Sequence, residues 1–266
     1  MPGFGSISAL QLSRLIGTPD CPALVDVRTD EDFAADARLI PGASRHRFDR
    51  IEDLAREMDG RQVVTICQKG RKLSDGAAAL LRCHGIAAET LAGGAIAWAE
   101  AGLPMIPAEA IPVSRLWVTR HRPKIDRIAC PWLIRRFVDP GARFLFVPPA
   151  EVAEVAERFS ATPFDVEGVR FSHRGEHCSF DAFLDDFGLH TEALDRLAIV
   201  VRGADTDRHD LAPQAAGLLA ISVGLSRQYK DDLAQLEAGL LLYDALYRWA
   251  RDGHEEGHDW PAGRTA

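Results

Sequence analysis

An α/β domain, with a parallel sheet flanked by helices, followed by a mainly helical α+β domain is the architecture this sequence predicts. Three observations carry it. The first hundred residues alternate short apolar runs with helix-like segments, the pattern of strand, crossover helix and parallel strand. A proline-spaced stretch, LPMIPAEAIP, follows and breaks the periodicity. Beyond it, two strand-like runs give way to long segments with apolar residues three and four apart. These divisions give residues 1–103 as the first domain, 104–112 as linker, 113–252 as the second domain and 253–266 as a frayed tail.

In the first domain, Ser8 is placed to cap a helix carrying Leu10, Leu12, Leu15 and Ile16. ALVDV (23–27) and RQVVTIC (61–67) have the continuous apolar character of buried parallel strands. DEDFAADA reads as a short exposed helix between them. SDGAAALLRCHG predicts a helix with Ser74 as N-cap and Gly85 as its stop. AETL is a last strand and GGAIAWAEAG a closing helix.

In the second domain, RLWVT and RFLFV predict strands. IACPWLIRRFV predicts a helix interrupted at Pro131, with Asp126 as its N-cap. The segments LAPQAAGLLAISVGLSRQY and KDDLAQLEAGLLLYDALYRWAR predict two long helices joined by a short connection, packed side by side.

The 266 residues are 47% hydrophobic and 26% charged, with a formal net charge of −8. That is a globular composition and disfavours a nucleic-acid coat. No apolar run reaches the ~20 residues of a membrane span, and the N-terminus lacks a secretory pattern, so a cytoplasmic protein is expected. The five cysteines form no C-x-x-C pair, which points to free thiols rather than disulfides or structural zinc.

The chemistry concentrates at CQKGRKLS, 67–74. A cysteine ends a buried strand, Gly70 lets the next residues curl with N–H groups inward, and a helix N-terminus follows. Lys69, Arg71 and Lys72 add positive charge. Such surroundings favour thiolate and seat an anion, so Cys67 is the expected nucleophile, with Gln68, Lys69, Gly70, Arg71 and Lys72 as the substrate cradle. Arg28 is placed as a further shaper of the site. Cys21, Cys83 and Cys130 read as packing residues.

This domain resembles the rhodanese family. The resemblance rests on DVR (26–28), IPGA (40–43) with Leu39 in the usual histidine place, the C-x-x-G loop, and LAGG (91–94) followed by Trp98. Lys72 stands where the family commonly has arginine, and a lysine makes point contacts rather than a bidentate fork. The resemblance implies a sulfurtransferase that carries sulfane sulfur as a persulfide. The donor would be a small anion such as thiosulfate, the acceptor a thiol or cyanide, and no cofactor is needed for that step. The loop is shorter than the C-x5-R of phosphatase-like relatives, which disfavours phosphoester chemistry.

In the second domain, Arg115–Arg136 is rich in cations, and Arg120, Arg122 and Lys124 form a candidate oxyanion site. SHRGEHC (172–178) and RGADTDRHD (202–210) bring His and carboxylate groups into short segments. His173 and Asp205 are candidate ligands for a divalent metal. Glu237 and Asp244 on the last helix are further candidates. The segments 119–140, 144–149, 162–183 and 199–226 resemble the C-terminal domain of the ChrB family, which implies an association with chromate resistance. Chromate or a metal ion is thus an expected partner. A chromate- or metal-responsive sensor, whose rhodanese half relays redox state, is the alternative to an enzyme. Nucleic acid is the least favoured partner, given the net acidity.

Overall fold

The computed structural model describes residues 5–58 and 60–257. The first domain contains β1 (Ser6–Ile7), α1 (Ala9–Leu15), β2 (Ala23–Asp26), α2 (Asp30–Ala35), β3 (Arg38–Leu39) and β4 (Ala43–Arg45). A 3-10 segment follows, then β5 (Val63–Ile66), α3 (Lys72–Cys83), β6 (Ala88–Leu91) and α4 (Gly94–Glu100). Five strands form one sheet in the order β1-β6-β5-β2-β4, every pair parallel. Side-chain alternation divides the sheet's two faces. Leu24, Val64 and Ile66 pack with Leu12, Leu91 and Trp98 from the α1 and α4 side. Val25, Val63 and Cys67 pack with Ala77, Ala78 and Leu81 of α3. Both faces are covered, which is why β2 and β5 read as unbroken apolar runs.

The proline-spaced linker is not a free spacer. β7 (Ile106–Pro107) pairs antiparallel with β3, and residues Ala108–Ala110 make a 3-10 turn. Trp98 anchors the start of this segment by donating from Nε1 to the Pro104 carbonyl at 2.9 Å.

The second domain begins with β8 (Leu116–Arg120) and α5 (Asp126–Leu133). Pro131 does not break α5. The helix passes through it and widens into a π-helical turn at Ile134–Val138. Next come β9 (Arg143–Val147), α6 (Val152–Phe159), β10 (Thr162–Pro163), α7 (Ser179–Phe187), α8 (Glu192–Asp205), α9 (Gln214–Gln228) and α10 (Asp232–Arg248). The three strands form a second parallel sheet, β10-β8-β9. Its core is aromatic: Phe171 stacks on Phe183 at 4.6 Å, and Trp117 packs edge-on to Phe164 and Phe171. α10 runs on into a π-helical turn, Trp249–Gly253, so the helix reaches the start of the segment expected to fray. Residues 258–266 of that segment lie outside the described residues.

The two domains share one hydrophobic core. The α1 and α4 face of the first sheet continues into Phe137 and Tyr247 of the second domain. Gly17 sits at this seam with φ of +82°, where a Cβ would lie 2.3 Å from the Phe137 ring and 2.8 Å from Tyr247. The Gly42 N–H donates to the Phe137 carbonyl, and Arg251 donates to the Arg14 carbonyl at 2.9 Å. No described helix is long and apolar enough to cross a membrane.

Candidate functional site

The thiol of Cys67 lies just past the carboxyl end of β5, where parallel α/β sheets place their ligands. The residue is 5% exposed, and its Sγ accepts from the Arg71 N–H at 3.3 Å and lies 3.2 Å from the Ser74 hydroxyl. Burial pushes this thiol up. Hydrogen bonds from the Ser74 side chain and from the Arg71, Ser74 and Lys69 backbone outweigh that and hold it below the ordinary thiol range. Ser74 is therefore not the helix cap. α3 starts two residues earlier, and Ser74 sits in its first turn facing the sulfur. This role was invisible in the sequence because a serine near a helix start reads first as a cap.

The loop is clasped by the LAGG segment. Gly70 has φ of +62°, and a Cβ there would lie 2.3 Å from the Leu91 carbonyl oxygen. Gly94 has φ of +63°, and a Cβ there would lie 2.2 Å from the Cys67 carbonyl oxygen. The Ala95 and Ile96 N–H groups donate to the Cys67 and Gln68 carbonyls at 3.0 and 3.2 Å. Gln68 is partly buried, while Lys69, Arg71 and Lys72 stand exposed at the rim. Lys72 holds a φ of +21°, unusual for a residue with a Cβ, at the junction of loop and helix.

Arg28 does not reach this cradle, which corrects its expected place in the substrate site. It is 2% exposed, and its Nη2 lies 2.6 Å from Asp26 Oδ2. Its other donors go to the Asp36 and Arg38 carbonyls at 2.9 and 2.6 Å. With Nε, Nη1 and Nη2 each bonded inside the fold, it fastens the segment leading into β3 rather than binding an anion. The cysteines also divide. Cys130 and Cys178 are fully buried and Cys21 partly so, whereas Cys83 is exposed on α3 rather than packed.

A second constellation forms in the other domain. Asp126 opens α5, Asp205 closes α8, and His173 sits in the loop before α7. His173 Nε2 lies 3.3 Å from Asp126 Oδ2 and 3.2 Å from Asp205 Oδ2. It is also 3.4 Å from Asp165 Oδ1, on a residue the sequence had not marked. Asp126 and Asp165 are each 2% exposed. Asp165 accepts from Arg120 at 2.7 Å and from the Ser179 hydroxyl at 2.9 Å, and Arg127 lies 3.2 Å away.

Burial pushes Asp165 up, but His173, Arg120 and Arg127 outweigh it and lower the carboxyl to about 2. Burial and the Asp165 charge raise Asp126. Burial and Asp126 raise Asp205 to about 8. Its acidic neighbours, Asp126 first, raise His173 to about 10. The backbone is strained here as well: Ile125, a β-branched residue, has φ of +43°, and Asp165 has φ of +50°.

Two expectations for this domain are corrected. Asp126 is not an N-cap but the first helical residue, with its carboxylate turned into the cluster. Arg120 and Arg122 turn to separate protein partners rather than to one oxyanion cradle with Lys124, which is partly buried. Arg120 pairs with Asp165, while Arg122 donates from its N–H to the Asp232 carboxylate and from Nη2 to the Ser226 carbonyl. Glu237 and Asp244 are structural partners: Glu237 pairs with Arg135, and Asp244 accepts from Trp132 Nε1 at 2.8 Å and from Arg136 at 2.7 Å.

Comparison with known proteins divides the chain at the same seam. Residues 117–250 match the family model described as the C-terminal domain of ChrB. Residues 8–101 match the rhodanese-like domain. The protein ChrB of Cupriavidus metallidurans is 36% identical over 134 residues, half of this chain, and the match spans 40% of that relative's length. Among solved structures, a rhodanese-like domain protein from Staphylococcus aureus is 29% identical, over 37% of this chain and 91% of its own, with a TM-score of 0.32. A thiosulfate sulfurtransferase from Pseudomonas aeruginosa is 25% identical, over 41% of this chain and 20% of its own, with a TM-score of 0.34.

Proposed function

This chain belongs to the family of the ChrB C-terminal domain and carries a rhodanese-like domain ahead of it, and we propose that it is a sulfurtransferase working through a persulfide on Cys67. The observation that supports this best is the environment of the sulfur. A thiol held below its ordinary range by the Ser74 hydroxyl and loop N–H groups is a thiolate nucleophile in waiting. The thiolate attacks the outer sulfur of thiosulfate, the sulfur–sulfur bond breaks, and sulfite leaves with the bonding pair. The persulfide anion then takes the place of the thiolate among the same donors. Cyanide or a thiol removes the outer sulfur and restores the thiolate. The exposed Lys69, Arg71 and Lys72 raise the local concentration of the dianionic donor without entering the bond changes.

The match to ChrB supports a link between this chemistry and chromate resistance, with the sulfurtransferase domain acting as an accessory to the second domain. The test is thiocyanate formation from thiosulfate and cyanide. The purified chain is expected to turn over, and Cys67→Ser to lose turnover entirely. Equal activity of the two proteins, or none in either, would refute the proposal. The absence of turnover in both would favour the sensor reading, in which the shared core around Gly17, Phe137 and Tyr247 carries a signal between the domains.

A further inference from the structure

We propose that Asp126, His173 and Asp205 bind one divalent transition-metal ion, a site independent of the sulfur chemistry at Cys67. The three residues each offer one donor atom, and the three atoms lie within 4.8 Å of one another. The separations from His173 Nε2 are 3.3 Å to Asp126 and 3.2 Å to Asp205. Ligands roughly 2.0–2.2 Å from a shared ion stand about 3.0–3.5 Å apart, so His173 already stands at coordination spacing from both carboxylates.

A second observation points to a ligand. Asp126 Oδ2 is buried and turned into the cluster, it has no hydrogen bond of good geometry, and its near neighbour is His173 Nε2, itself one of the three donors. A buried carboxylate oxygen without a well-formed hydrogen bond, set beside a second and a third carboxylate, is costly, and a cation shared by the cluster removes the cost. Asp165, the nearest other carboxylate, is committed elsewhere: Arg120, Arg127 and Ser179 surround it. It therefore lines the site as a fixed, already compensated charge.

The donor set selects the ion class. One imidazole with two carboxylates suits Mn2+, Fe2+, Co2+ or Zn2+, lacks the soft sulfur that Cu+ prefers, and holds more nitrogen than Mg2+ or Ca2+ favour. The donors come from the first turn of α5, the end of α8 and a loop, so packing fixes two of the three. His173 is partly exposed and borders a groove of about 580 Å³, lined also by Arg120, Glu167 and Ser172. An ion here keeps open positions toward that groove, as functional rather than purely structural sites do.

The experiment uses the full chain, stripped with a chelator and titrated with Co2+ and Mn2+. Visible absorption of bound Co2+ reports its ligands, and the electron paramagnetic resonance of free Mn2+ reports stoichiometry. One ion per chain is expected for the wild type and for Cys67→Ser. His173→Asn and Asp205→Asn are expected to weaken uptake about a hundredfold and to change or abolish the Co2+ spectrum. His173 is partly exposed, so its variant tests the site even where a change at buried Asp126 would impair folding; near-ultraviolet circular dichroism verifies the fold. No uptake by the stripped wild type at millimolar ion overturns the proposal. So does uptake that survives in both variants, or that disappears with Cys67→Ser instead.

Discussion

Replacing Ser74 with alanine isolates the contact that distinguishes Cys67 from an ordinary buried cysteine. The hydroxyl stands 3.2 Å from Cys67 Sγ and 3.0 Å from the Arg71 carbonyl oxygen, and its single proton turns to the sulfur when the thiol ionises. A hydrogen bond to a charged group contributes about 1.5–3 kcal/mol, and sulfur is a weak acceptor, so the lower end applies. About 1.5 kcal/mol corresponds to roughly one pKa unit. The thiol should therefore titrate about one unit higher in Ser74→Ala, and the thiolate fraction should fall about tenfold wherever the thiol form dominates. Thiolate stabilisation acts above the thiol's pKa and is lost as pH falls, so the two proteins should converge at high pH. The assay is the iodoacetamide alkylation rate of the Cys67 peptide against pH, followed by mass spectrometry to separate it from exposed Cys83. Ser74→Thr, which keeps a hydroxyl, should recover part of the shift. An unchanged midpoint in Ser74→Ala would refute the assignment of Ser74 and leave the lowering to the backbone donors alone.

Arg28→Met should cost about 3–5 kcal/mol in urea unfolding, because Asp26 is left buried without its partner. At a temperature where the variant stays folded, its KM for thiosulfate should match the wild type. A raised KM with unchanged stability would return Arg28 to the anion site. Gly94→Ala should destabilise by about 3 kcal/mol and abolish sulfur transfer, since its Cβ would strike the Cys67 carbonyl in a left-handed conformation; a fully active variant contradicts the clasp. Hydrogen bonding to Asp195, opposed by burial and reinforced by Asp185, raises His190, so its contribution is present below the ordinary imidazole range and lost as pH rises through the raised value. His190 is about half exposed, which limits the effect to a few tenths of a kcal/mol. His190→Ala should accordingly lower thermal stability at pH 5.5 more than at pH 9, and the reverse order would refute the pairing.

The first site was largely legible because its signals are local. A strand, a cysteine, a glycine and a helix start lie within eight residues, and the clasp announces itself as two adjacent glycines. Arg28 was misplaced because a basic residue just past a strand end looks the same whether it faces an anion or a buried aspartate; only Asp26, two residues back at the end of β2, decides it. In the second domain, His173 and Asp205 were visible as residue types, but their meeting with Asp126 depends on how α5 and α8 pack, which no local pattern records. Asp165 carried no signal at all. It lies among turn residues, and its importance comes from Arg120 at the end of β8, 45 residues away.

Sulfur on Cys67 is the claim from which the rest of the function follows. The direct measurement is mass spectrometry of the Cys67 peptide after incubation with thiosulfate and blocking of free thiols. The expected result is a gain of one sulfur atom on that peptide, removed by cyanide with release of thiocyanate. Unmodified Cys67 under those conditions, or sulfur carried instead on the exposed Cys83, would contradict the account.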